Sequence, residues 1–233
     1  MRVVKTLKEI SMMVLISLCL GLTSFQPLFA GHNQADAIWR CLQSGNKKFV
    51  NDPRYVRQRE KLKSSQNPNC VVLSCSDSRV PPEVVFNQLD LGKLFVIRVA
   101  GEVADDVVVD SIEFAVGHYD VSLIVVMGHT NCGAVEGAIE HLIENNGQVD
   151  PTNGHINAVL IPIEMAIVQA GIDIYAPNAV ELSVRANIAY VANQLLSQSP
   201  EIAAAVADGT VKIIGTEYNL KTGKIKKLFV IGG

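Results

Sequence analysis

Four short apolar runs constrain this chain more than any other feature: CVVLSC (70–75), KLFVIRVA (93–100), VSLIVVMG (121–128) and TVKIIGT (210–216). None alternates apolar with polar residues, so none suits a strand with one wet face. Continuous apolar runs of this length, rich in valine and isoleucine, suit strands covered on both faces by crossover helices, as in a parallel sheet. Segments of helical period separate them. DDVVVDSIEFAVGHY (105–119) and CGAVEGAIEHLIE (132–144) are two, and VELSVRANIAYVANQLLSQ (180–198) sets Val184, Ile188, Val191 and Leu195 at helical spacing. Strand–helix alternation implies right-handed crossovers. The closing TEYNLKTGKIKKLFVI (216–231) reads as a hairpin turning at Thr222-Gly223. The expected fold class is α/β: an open, mostly parallel β-sheet flanked by helices, with an antiparallel C-terminal edge.

The N-terminal region has a different character. Arg2, Lys5 and Lys8 precede the uncharged core MMVLISLCLGL, and LFA ends at Ala30 before the polar GHNQAD. That order of basic, apolar and small residues predicts a secretory signal peptide over residues 1–30, with one domain over 31–233. The protein is then exported, periplasmic or secreted, without stable membrane association once the leader is removed. Removal takes away three basic groups and one acid, which moves the net charge from −3 to about −5. No basic block is present, which argues against nucleic acid as a partner. DAIWRCLQSGNKKFVND (36–52) reads as an amphipathic helix with Ile38, Trp39, Leu42 and Phe49 on or near one face. RYVRQREKLKSSQNPN (54–69) reads as a basic, polar linker. Export permits disulfides among Cys41, Cys70, Cys75 and Cys132. Cys41 and Cys70 read more simply as small buried apolar groups, and whether the two pair is left open.

Chemistry gathers where the apolar runs end. Cys75 closes the first run, with Asp77 and Arg79 at alternate positions after it. His129 closes the third, and Cys132 begins the next helical segment. In open α/β sheets sites form beyond the carboxyl ends of strands. Zinc accepts thiolate sulfur and imidazole nitrogen, and a set of two cysteines and one histidine leaves a fourth position open, as a catalytic zinc requires. An acid and a guanidinium beside that set would be costly to bury without a use.

At these residues the sequence resembles the β-class carbonic anhydrases. CSDSRVPPE (75–83) and GHTNCGAVEGA (128–138) match the two signature motifs of that family, and GNKKF, LFVIRVAGEV, IEFAV and GTEYNLKTG extend the likeness over most of residues 39–233. The resemblance implies reversible hydration of carbon dioxide to bicarbonate and a proton by zinc-bound hydroxide. It implies one Zn2+ per chain on Cys75, His129 and Cys132, with Asp77 and Arg79 as a catalytic dyad. Gln66, Phe95 and Phe114 correspond to the substrate pocket, which in the family lies at a dimer interface, so Gln66 is expected to face a partner's Phe95 and Phe114. A homodimer, or a tetramer of dimer units, follows. Position 114 is often tyrosine in the family, and here its hydroxyl is missing. Val72 stands where one branch of the family has a tryptophan beside an inhibitory bicarbonate, which argues against that regulatory site.

Two thiolate ligands should weaken zinc as a Lewis acid and favour activity at alkaline pH. Arg79 should hold Asp77 ionised by a bidentate pair. Released from it, Asp77 could become a fourth zinc ligand and close the site. His118, His141 and His155 are candidate proton carriers by chemistry, each expected as a solvated surface histidine. Three other functions use the same residues: hydrolysis of carbon disulfide or carbonyl sulfide, a non-catalytic structural zinc, and thiol redox chemistry between Cys75 and Cys132.

Overall fold

The computed structural model of the protein describes residues 30–152 and 156–233. The expected leader and His155 therefore lie outside the described residues, apart from the leader's final alanine. The chain divides into two compact units, residues 1–56 and 57–233.

The described part of the first unit holds helix α1 (Ala30–Asn51) and the start of α2 (Pro53–Leu62). Ile38, Trp39 and Leu42 are exposed on α1, while the Phe49 and Tyr55 rings lie 4.7 Å apart. Cys41 is exposed, against the expectation of a buried thiol. The expected linker is also corrected, because most of its first half is α2. Asp52 accepts from the Arg54 backbone N–H at 2.8 Å and Pro53 opens the helix, a favourable start for a segment rich in Arg, Gln, Glu and Lys. The helix buries no residue, so no apolar stripe announces it.

The second unit is a five-stranded sheet: β1 (Cys70–Cys75), β2 (Leu94–Val99), β3 (Leu123–His129), β4 (Lys212–Tyr218) and β5 (Ile225–Ile231). Their order is β2-β1-β3-β4-β5, with every pair parallel except β4 and β5. The open, mostly parallel sheet with an antiparallel edge is thus the observed architecture. Val71 and Leu73 of β1 and Ile124 and Val126 of β3 are fully buried, as doubly covered strands require. The covering helices are α3 (Pro82–Val85), α4 (Asp106–His118), α5 (Gly133–Glu144), α6 (Asn157–Gln169), α7 (Ala179–Gln198) and α8 (Pro200–Ala207). Helix α7 packs on β3 and β4 through Val184, Ile188, Val191 and Leu195, all buried. Among the described residues no helix is long and apolar enough to cross a membrane.

The strand order positions the site. From β1 the chain passes to β2 on one side, then crosses to β3 on the other. The crevice beyond the carboxyl ends of β1 and β3 is therefore the topological switch point, where open α/β sheets bind ligands. Cys75 is the last residue of β1 and His129 the last of β3.

Candidate metal centre

Three elements converge at that crevice. Cys75 and His129 come from the strand ends, and Cys132 is the N-terminal cap of α5. All three are buried, and their ligand atoms lie within 4.8 Å of one another. The two sulfurs are 4.0 Å apart. Sulfurs about 2.3 Å from a common tetrahedral zinc would stand a little under 4 Å from each other. His129 Nδ1 is engaged with the Thr130 carbonyl at 3.0 Å, which leaves Nε2 facing the sulfurs, buried and without a hydrogen-bond partner. An orphaned imidazole nitrogen beside two thiols is what a thiophilic metal would satisfy, so this donor set fits zinc.

The two sulfurs sit in unlike fields, and only that of Cys75 favours thiolate. The Cys132 thiol beside it is the main cause that holds Cys75 down to about 4, and the Gly101 N–H also donates to Cys75 Sγ at 3.4 Å. The bond to Cys75, together with burial, pushes the Cys132 thiol up. Cys132 caps a twelve-residue helix, whose positive end favours a bound thiolate. Gly101 reaches Cys75 because its φ of +64° turns the chain just after β2, and a Cβ there would meet the Ile163 side chain at 2.6 Å.

Asp77 and Arg79 form a closed pair. Arg79 donates from Nε to Asp77 Oδ1 at 2.9 Å, from Nη2 to Oδ2 at 2.6 Å, and from its backbone N–H to Oδ1 at 2.9 Å. Those hydrogen bonds hold the Asp77 carboxyl well below the usual carboxylate range. Arg79 Nη2 also reaches the Asn131 carbonyl at 3.3 Å, tying this loop to the one that carries Cys132. Asp77 Oδ2 lies 3.9 Å from His129 Nε2, so the clamped carboxylate borders the three ligands without joining them.

Three supporting residues escaped the sequence reading. Arg98 of β2 donates to the Cys75 carbonyl at 3.1 Å and the Asp77 carbonyl at 2.6 Å, fixing the backbone of the loop. Glu102 is buried behind the ligands with φ +43°, and burial, with Cys75 beside it, pushes its carboxyl up to about 8. Asn187 of α7 donates to the Gly101 carbonyl at 2.7 Å and to Glu102 Oε1 at 3.1 Å. A charge inside an apolar run was the available signal for Arg98. Asn187 had none, because its partners are 85 and 86 positions away.

Gln66, Phe95 and Phe114 gather elsewhere. The Gln66 amide donates to the Tyr119 hydroxyl at 3.0 Å, and the Tyr119 ring lies 6.2 Å from Phe95 and 5.9 Å from Phe114. All three thus surround one tyrosine of the same chain, which corrects the expectation that Gln66 faces the phenylalanines of a partner. Phe95 pairs with Val71, four residues before Cys75, which places this cluster about 13 Å along the strands toward their amino ends. His118 stacks on Phe114 at 4.1 Å and is exposed. His141 corrects the expectation of a solvated histidine: it is buried, with Nδ1 2.6 Å from Glu164. Cys70 is half-buried against the core and pushed up to about 11 by burial, and the four described cysteines are all free thiols.

Comparison with known proteins gives a consistent result. Residues 70–225 match the family described as carbonic anhydrase. A carbonic anhydrase of Mycolicibacterium smegmatis is 35% identical over 198 residues, which cover 82% of this chain and 91% of that one. Carbonic anhydrase 2 of Mycobacterium tuberculosis is 33% identical over 193 residues, covering 81% and 90%. Among solved structures, the Coccomyxa β-carbonic anhydrase in complex with acetazolamide superposes with a TM-score of 0.66 at 25% identity, covering 88% of each chain. A tetrameric β-carbonic anhydrase of Sordaria macrospora shares the fold, with a TM-score of 0.66 at 24% identity, over 84% of this chain and 97% of that one.

Proposed function

Because the chain belongs to the β-carbonic anhydrase family, a family of zinc-dependent lyases, we propose that it hydrates carbon dioxide reversibly at a zinc held by Cys75, His129 and Cys132. The observation that carries this reading is the buried Cys-His-Cys group at the switch point, with its unpartnered His129 Nε2, beside the Arg79-clamped Asp77. Zinc, when bound, supplies a Lewis acid that makes water nucleophilic near neutral pH. The remaining work falls to the chain. Asp77, kept ionised by Arg79, accepts a hydrogen bond from the nucleophile at Oδ2 and so orients it toward the substrate. Arg79 prevents Asp77 from turning onto the metal, and Arg98 holds the Asp77 backbone in place.

Gln66, Phe95 and Phe114 form the substrate wall in this reading, contributed by a second copy of the chain. Their position toward the amino ends of the strands, away from their own chain's ligands, supports that sharing. The description of a Sordaria relative as tetrameric agrees with it. The rings offer an apolar surface to carbon dioxide, and the Gln66 amide donates to the oxygen that gains charge. Among the described residues, His118, exposed and stacked on Phe114, is the histidine best placed to pass the released proton to buffer. Export rests on the basic, apolar and small-residue order of residues 1–30.

The test is a stopped-flow assay of carbon dioxide hydration and a carbon disulfide assay on one sample. Fast hydration with no turnover of carbon disulfide is expected. Turnover of carbon disulfide alone would reassign the substrate.

A further inference from the structure

We propose that Tyr119 is a positioning residue that holds the Gln66 amide for the substrate. The inference deepens the proposed function and rests on Gln66 facing substrate.

The geometry begins with what Gln66 lacks. It sits on an irregular segment between α2 and β1, and it is exposed. A glutamine there has several rotamers open to it, and an amide that must meet a developing charge needs its direction fixed beforehand. Four hydrogen bonds fasten this segment to the chain that leaves α4. Gln66 Nε2 donates to the Tyr119 hydroxyl at 3.0 Å. Asn67 Nδ2 donates to Asp120 Oδ2 at 2.6 Å, and the Asp120 N–H donates back to Asn67 Oδ1 at 3.0 Å. The Ser122 N–H donates to the Asn69 carbonyl at 3.1 Å.

Tyr119 is itself well anchored. Its backbone leaves the helix in an extended conformation, its N–H still bonded to the Ala115 carbonyl at 3.0 Å. Its ring meets Phe114 edge-on, 81° between planes, and packs beside Phe95. A rigid aromatic thus carries a hydroxyl to one Nε2–H of Gln66, which leaves the second Nε2–H for the substrate. Both residues line one cavity of about 720 Å3, with Arg59 and Lys63 also on its wall.

Tyr119→Phe removes one oxygen and keeps the ring packing. With glutamine labelled in 15N, the Gln66 side-chain amide pair should shift in this variant, while zinc content and melting temperature stay at wild-type values. An unmoved amide signal would overturn the contact, whatever the enzyme does. In hydration assays kcat/KM should fall about five- to tenfold, the scale of one lost hydrogen bond. In a Gln66→Ala background the same substitution should have no further effect on kcat/KM. Equal losses in both backgrounds, or none in either, would overturn the positioning role. A wild-type protein without hydration activity would instead refute the proposed function, and the amide signal would still report on the contact.

Discussion

At the scale of single residues, local order decided what the sequence could reveal. Cys75, Asp77 and Arg79 fall within five positions, and His129 and Cys132 within four, so short motifs exposed them. The residues that hold them did not stand out. Arg98, Glu102 and Asn187 act through contacts that only the folded chain creates, and Tyr119 meets a glutamine 53 positions away. Two predictions belong here. Arg79→Ala should keep zinc close to wild-type content yet lose at least about a hundredfold in turnover, because Asp77 is freed from its clamp. Metal analysis beside a hydration assay checks this, and a variant retaining most activity would contradict the clamp. Glu102 offers a pH test. Its folded value of about 8 lies above its ordinary 4.5, so the folded state binds the extra proton and stability falls as pH rises through that window. Glu102→Gln remains neutral and keeps Oε1 for Asn187. In the zinc-free protein its advantage over wild type should grow from nothing near pH 4 to on the order of 5 kcal/mol at pH 9. Urea denaturation at the two pH values measures it, and a gap independent of pH would contradict the buried charge.

At the scale of elements, β1 and β3 were legible because their centres are unbroken apolar runs, whereas β2, at the sheet edge and carrying Arg98, is only partly buried along its length. Helices were legible where one stripe is apolar, as in α7. The sequence reading missed the single turn α3, and it missed α2, α6 and α8 for different physical reasons. Helix α2 buries nothing, so its composition resembles a linker. Helix α6 carries Pro162 in its interior, a usual sign of a break. Its core contacts through Leu160, Ile163 and Ile167 keep it helical nonetheless. Helix α8 is short, and its start is marked only by Ser199, whose hydroxyl accepts from the Ile202 N–H at 3.0 Å, followed by Pro200. Two glycines make opposite predictions. In β4, beside the register shift, a Cβ on Gly215 would meet the Phe229 ring at 2.2 Å. Gly215→Ala should therefore destabilise by about 1–3 kcal/mol through overpacking. Nothing lies within 4 Å of a Cβ on Gly45 in α1, so Gly45→Ala should stabilise by about 0.5–1 kcal/mol. Thermal melts of both variants check the pair, and the opposite order would contradict these packing assignments.

At the scale of the whole molecule, the proposed metal ligands and the proposed substrate wall stand toward opposite ends of one sheet, which no single motif discloses. A shared site predicts subunit complementation. Cys75→Ser chains keep the wall and lose a ligand, whereas Gln66→Ala chains keep the ligands and lose the amide. Mixed and refolded together, they should recover about a quarter of wild-type activity, because half the dimers are hybrids with one complete site each. No recovery above the separate variants would place each site within one chain. The central claim, zinc-dependent hydration at Cys75, His129 and Cys132, is tested most directly by stripping the metal and restoring zinc in steps while following carbon dioxide hydration. The account predicts turnover that rises in proportion to zinc and stops rising at one equivalent per chain. Turnover in the stripped protein, or none with one zinc firmly bound, would contradict it.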